Sequence, residues 1–379
     1  RELNPLNEDA FEKFQKNFSN EVRQISTASH MAILQWDEWI GLGENILSNL
    51  NHLLNNEEDI VASPCSKITF KNATRPGSID LSNMQHKGIK LNRYSLRGRS
   101  KITVNKANPI SQKEVESFLQ PFYKFRDKPD MFSFINQDKL SRFISNIKKM
   151  PEMGKTYNQQ STWFSSKLWP HLFTDMQPQL RIKPMEDLKL MRENLLENKK
   201  TRELLEKHFQ GDYGATSSTY FYYGLCKCGI EFPLQKVEDR GQVYLQGKCL
   251  NKNCEYHGSD PYAVDIAQIP SEVKRKNLNE TLFVSFYNIW AYSGINVMGG
   301  FNQIEYIKNF RDKLSEVFRK TGEQKKSDRL KKRPSNLMDA GLIPMFNKNG
   351  IPKSGSQAFL EGGLDKKYIE KFSRLTFAK

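Results

Sequence analysis

Four cysteines fall between positions 226 and 254: Cys226-Lys-Cys228, a twenty-residue interval, and then Cys249-Leu-Asn-Lys-Asn-Cys254. No other feature restricts the folded shape of this chain so tightly. Two thiolate pairs on tight turns, joined by a β-hairpin, can set four sulfurs tetrahedrally around Zn²⁺. Gly229 follows the first pair, where the backbone must turn under the metal. Val243-Tyr-Leu-Gln-Gly-Lys248 alternates as a hairpin strand does. A disulfide pair or buried free thiols are the other readings of the same cysteines.

The cluster resembles a zinc ribbon over roughly 40 of the 379 residues. The resemblance implies a structural zinc ion held by Cys226, Cys228, Cys249 and Cys254. Four sulfurs fill the tetrahedron and leave no position for water, so such a zinc holds a fold together and activates nothing. The second pair departs from the common pattern, with four residues between its cysteines where two are usual. His257 lies three residues past Cys254 and could replace a sulfur. Similar ribbons occur in transcription factors, polymerase subunits, ribosomal proteins and large serine integrases, so the resemblance implies a module and no activity.

Charge is the second constraint. The chain carries a formal net charge of +15, a surplus that points first to nucleic acid. An acidic protein partner or plain solubility are the alternatives. Only 37% of residues are hydrophobic, while aromatics reach 11%, so rings must carry much of the burial. The length suits two or three domains. No run of eighteen apolar residues marks a membrane span, and no signal peptide is visible, although the chain opens on Arg1. Five cysteines, four of them clustered, suit a reducing compartment, cytoplasmic or nucleoid-associated, and not secretion. Cys65 reads as a buried thiol.

Five regions follow from the pattern. Residues 1–60 read as helical: Phe11, Phe14, Phe18, Val22 and Ile25 share one face, and Met31 to Leu54 form a second helix. Residues 61–110 are β-rich and basic, with ten Lys or Arg between Lys67 and Lys106 against the single acid Asp80. Within them Lys90, Arg93, Arg97, Arg99 and Lys101 are placed to meet phosphates, and Tyr94 to stack on an unpaired base. A solvated strand edge kept apart by cations is the alternative.

Residues 111–215 return to helical periodicity, opening on the capping box Ser111-Gln-Lys-Glu114. Residues 151–183 show little periodicity, and their Trp163, Phe164, Leu168, Trp169, Leu172 and Phe173 are expected in a core. A long helix is predicted from Pro184 to about Phe209, broken or solvent-crossing at its polar middle, 197–203. Residues 216–270 hold the cysteine module, and 271–379 a helical C-terminal region. There Ser271–Tyr292 reads as one helix ending at Ser293-Gly294, and Gly299-Gly300 turns into another, Gln303–Lys320. Between Arg319 and Arg333 stand eight Lys or Arg. Arg329, Lys331, Lys332 and Arg333 belong either to a basic linker or to a second phosphate-contacting segment.

Catalytic signatures are sparse. No phosphate-binding Gly-Lys-Ser/Thr loop, dinucleotide glycine motif, HExxH or GxSxG occurs, and the six histidines show no ligand spacing. Asp260 and Asp265 are faintly similar in position to the aspartate that RNA-guided transposon nucleases carry after a zinc ribbon, but their partner acids have no counterpart here. Lys353-Ser354 resembles the Lys-Ser loop of class I nucleotidyl transferases without their histidine motif.

These readings converge on an α+β, predominantly helical chain with a basic β-rich segment and an internal zinc ribbon. The function they imply is nucleic-acid binding without catalysis, DNA over RNA, as a specificity or accessory subunit of a transcription, transposition or replication assembly with other protein subunits. A nuclease or nucleotidyl transferase is one alternative. A basic structural subunit meeting an acidic protein is the other.

Overall fold

A computed structural model describes residues 24–26, 46, 53, 59–62, 65–67, 70, 77–82, 84–95, 102–176, 178–182, 195–212, 215–255, 261–292, 296–298, 303–333 and 352–373. The strands in chain order begin with β1 (Gln24–Ser26), β2 (Asp59–Ala62), β3 (Ser78–Asp80), β4 (Gln85–His86), β5 (Ile89–Lys90), β6 (Arg93–Ser95) and β7 (Gln179–Ile182). They continue as β8 (Tyr222–Leu225), β9 (Glu231–Pro233), β10 (Gln235–Asp239), β11 (Gln242–Gly247), β12 (Tyr262–Asp265), β13 (Leu278–Glu280) and β14 (Asn296–Met298). The first helices are α1 (Gln112–Arg126), α2 (Gln137–Lys149), α3 (Tyr157–Leu168), α4 (Lys199–Phe209) and α5 (Ile269–Lys274). The rest are α6 (Leu282–Phe286), α7 (Gln303–Lys320), α8 (Gln324–Lys331), α9 (Gly355–Leu360) and α10 (Lys366–Ser373).

Local sequence sets the helix starts. The expected box at Ser111 forms: Ser111 Oγ accepts from the Glu114 N–H, and the Glu114 carboxylate accepts from Ser111 N–H at 2.9 Å. Asn136 caps α2 by accepting from Lys139 N–H at 3.0 Å. A third start, not expected from the weak periodicity of 151–183, is the box Thr156/Gln159 at the head of α3. The cap overrode a helix face that is mostly polar. The aromatic cluster of that segment is in the core as expected, with Phe164, Leu168, Trp169 and Leu172 fully buried.

Two hydrophobic cores result. The first gathers α1, α2, α3 and α9, with Phe122, Phe143, Phe164 and Phe359 meeting ring to ring at 5.6–6.3 Å. The hairpin strands β3 and β6 cover it. The second gathers residues 195–330 around the four cysteines, α6, α7 and Trp290.

Three sheets matter to the site. The strands β13-β8-β9 and β10-β11-β12 form two antiparallel sheets. The third, ordered β14-β1-β2-β7, is parallel throughout. That sheet corrects the helical reading of the N-terminal region at Ile25, which lies in β1; most of residues 1–60 lie outside the described residues.

Ser271–Tyr292 is likewise not one helix. Lys276 takes a positive φ of 59°, and Asn277 N–H bonds back to Glu272 O, which ends α5 and frees β13 to pair with β8. The chain then re-enters a helix at α6, continuing as a π-helical turn over Tyr287–Tyr292. In the basic segment, strands form at 78–80 and 89–90 as expected, whereas Val104–Lys106 is a 3₁₀ turn. Among the described residues no helix is long and apolar enough to cross a membrane.

Candidate metal centre

Each cysteine pair sits at the end of a hairpin. β8 runs directly into Cys226, and the chain turns through Cys228 and Gly229 into β9. β11 ends at Gly247, and Cys249 to Cys254 begin the connection to β12. The two knuckles thus hang from different sheets, and the sheets must approach closely for their sulfurs to meet. Gly247 permits it: a Cβ there would lie 2.3 Å from Pro233 O. Within the first sheet, Gly224 lies opposite Phe232, whose ring occupies the space a side chain would take.

The four sulfurs lie within 4.8 Å of one another, with Cys226 Sγ 3.5 Å from Cys254 Sγ and Cys228 Sγ 3.8 Å from Cys249 Sγ. A disulfide needs about 2.05 Å. These sulfurs are too far apart for a disulfide, and the cluster could hold a metal. Backbone N–H groups of Cys228, Ile230 and Asn251 point at the sulfurs of Cys226, Cys228 and Cys249 and favour thiolates there. Burial pushes the Cys226 and Cys249 thiols up; at Cys228 burial is outweighed by the Ile230 N–H and the neighbouring thiols, which hold it down. His257 lies outside the described residues.

The first knuckle is clamped to the end of the basic segment. Thr103 donates to Gly229 O through both N–H, at 3.0 Å, and Oγ1, at 3.2 Å. Gly229 holds φ at +82°, and a Cβ there would meet Ile102 Cγ2 at 2.8 Å. Nearby Asn105 Nδ2 donates to Asn279 Oδ1 at 3.0 Å. Deeper in the same seam, Lys67 Nζ bonds Glu280 Oε2 at 3.0 Å with both side chains at most 10% exposed. None of these partners was foreseeable, since they are 126 to 213 residues apart.

The basic residues singled out from the sequence fall into two separate places. Lys90 is exposed on β5. Arg93 on β6 pairs with Asp80 on β3, and Tyr94 turns its ring onto Phe122 at 5.0 Å, where burial raises its phenol. Arg97, Arg99 and Lys101 lie outside the described residues. On α8 and its end, Lys331 and Lys332 are exposed, Arg329 donates to Tyr292 O, and Arg333 donates to Trp290 O at 2.8 Å. Burial, with Arg329 nearby, lowers Arg333 to about 10.

The acidic and Lys-Ser candidates have internal work. Asp265 accepts from Ala267 N–H at 2.7 Å as a cap, and Asp260 lies outside the described residues. Ser354 caps α9 and donates to Asp80 O at 2.5 Å, while Lys353 faces Glu361 at 3.6 Å. The chain matches no known protein family, and no curated protein matches it.

Proposed function

We propose that this chain is a non-catalytic nucleic-acid-binding protein whose second core is a zinc ribbon. The metal assignment is supported by arithmetic: with Zn–S near 2.3 Å, the edge of a sulfur tetrahedron is about 3.8 Å. The cysteine sulfurs stand at 3.5 and 3.8 Å. All four ligands are sulfur, so the ion is structural. The observation that carries the nucleic-acid reading is the basic helix α8. It follows α7 after a three-residue turn through Gly322, whose φ is +91°, a helix-turn-helix connection. Lys325, Lys331 and Lys332 stand exposed on and just past it and make no ion pair with a described residue. Short basic helices of this kind place cations along a phosphate backbone. The expected setting is a cytoplasmic or nucleoid assembly with other subunits, on DNA before RNA.

Fluorescence anisotropy with labelled duplex DNA, single-stranded DNA and RNA tests the reading. Wild-type affinity should fall steeply with salt, and K325A/K331A/K332A should flatten the slope of log K against log salt by about 2 to 3. Unchanged binding in the triple variant sinks it.

The parallel sheet favours a second reading, a nucleotidyl transferase. Its strands run third, second, first, fourth in chain order. That order places a switch point between β1 and β14, where open α/β sheets bind nucleotides beyond their carboxyl ends. Gly299-Gly300 follows β14 before α7. Saturable binding of ATP with Mg²⁺ by calorimetry would favour it; no heat of binding removes it.

A further inference from the structure

Around the cysteine cluster positive charge exceeds what a metal site requires. Lys248 precedes Cys249, Lys252 sits on the turn before Cys254, and Lys106 stands near both Cys226 and Lys276. None of these four lysines makes an ion pair with a described residue. A divalent ion with four thiolates carries two negative charges, and Glu255 beside Cys254 adds a third, which the four lysines still exceed. Cations kept only to offset that charge would lie against the sulfurs; Lys248 and Lys252 are exposed.

The turn that carries them is stiff and bears an apolar tip. Cys254 N–H bonds Asn251 O at 3.0 Å, and Asn253 N–H bonds Asn251 Oδ1 at 3.2 Å. Leu250, 64% exposed, is the most exposed large hydrophobic side chain among the described residues. An apolar side chain flanked by lysines on a rigid turn matches the alternation of a nucleic-acid strand, phosphate beside sugar and base.

We propose that this second knuckle is a nucleic-acid contact in its own right. Lys248 and Lys252 take backbone phosphates, Lys106 and Lys276 extend the cationic field, and Leu250 packs on a sugar or base. The inference rests on the nucleic-acid reading above, and it makes the ribbon a binding surface as well as a scaffold.

The test compares two charge-matched double variants of the full, metal-loaded chain. K248E/K252E alters the knuckle; K113E/K124E alters exposed lysines of α1, in the other core. Binding is read by anisotropy on labelled RNA, single-stranded DNA and duplex DNA, and metal content by native mass spectrometry. The knuckle variant is expected to keep its metal, to lose at least tenfold in affinity, and to flatten the salt slope by about 2. The α1 variant should lose less than threefold, and L250S should lose affinity with its salt slope unchanged. Equal losses in the two double variants overturn the inference and leave the nucleic-acid reading standing. Displacement of the probe by polyglutamate at equal charge concentration overturns it in favour of an acidic protein partner. A wild-type chain that binds no probe removes the reading beneath it. Loss of metal in K248E/K252E shifts the comparison to K248Q/K252Q, with a fivefold loss or no loss deciding.

Discussion

Gly229→Ala isolates the seam between the first knuckle and the basic segment. Its φ of +82° lies in the left-handed region, which costs an alanine about 1–2 kcal/mol. The new Cβ also presses on Ile102 Cγ2 at 2.8 Å, and Thr103 cannot retreat without losing its bonds to Gly229 O. Relieving that contact should cost about 1 kcal/mol more. Gly241 is the control: its φ is +79°, and nothing lies within 4 Å of its Cβ position, so Gly241→Ala carries only the backbone cost. The assay is urea unfolding of the metal-loaded chain, followed by metal release to a chromophoric chelator. Gly229→Ala should lose about 2–3 kcal/mol against about 1–2 for Gly241→Ala. Adding Ile102→Ala, at a side chain already 36% exposed, should return the difference. Equal losses at the two glycines, with no recovery in the double variant, would refute the packed seam.

Lys67→Met should cost about 3–5 kcal/mol in a thermal melt, because it leaves the Glu280 carboxylate buried without its ammonium; K67M/E280Q should recover most of that. Glu272 accepts from Asn277, Tyr262 and Arg275, with Asn277 the largest influence, and these hold its carboxyl below the ordinary 4.5 despite burial. The unfolded chain therefore takes up the proton first, and this stability is full above pH 4.5 and lost as pH falls through the folded value. Glu272→Gln should melt with a shallower dependence across that acid window. Cys249→Ser, or chelation of the native chain, should abolish bound metal and open residues 226–254 to protease; retained metal in the variant would count against a four-sulfur site.

The parts of the fold that sequence made legible are those written in short-range chemistry. The box at Ser111, the α7 helix over Gln303–Lys320, and the meeting of the four cysteines all depend on residues a few places apart or on a known metal spacing. What stayed hidden depends on distant partners. Ile25 continues a helical period, yet β14 beside it decides for a strand. Tyr94 was free for a base until Phe122 supplied a ring, and Arg93 was free for a phosphate until Asp80 came across the hairpin. Ser271–Tyr292 was broken by Asn277 and by pairing with β8, neither of which leaves a trace in periodicity.

Among the described residues the first core is discontinuous: it runs from Ile46 to Ile182 and takes up again at Ala358, Phe359 and Leu360. The cysteine-bearing core, 195–330, is nested inside it. On the ribosome the inner unit can therefore close, and bring its four cysteines together, while the outer one still lacks α9, whose Phe359 packs on Phe143. The outer core is the last to be completed although most of it is made first. A chain stopped after α8 would carry a finished cysteine-bearing unit on an unfinished host.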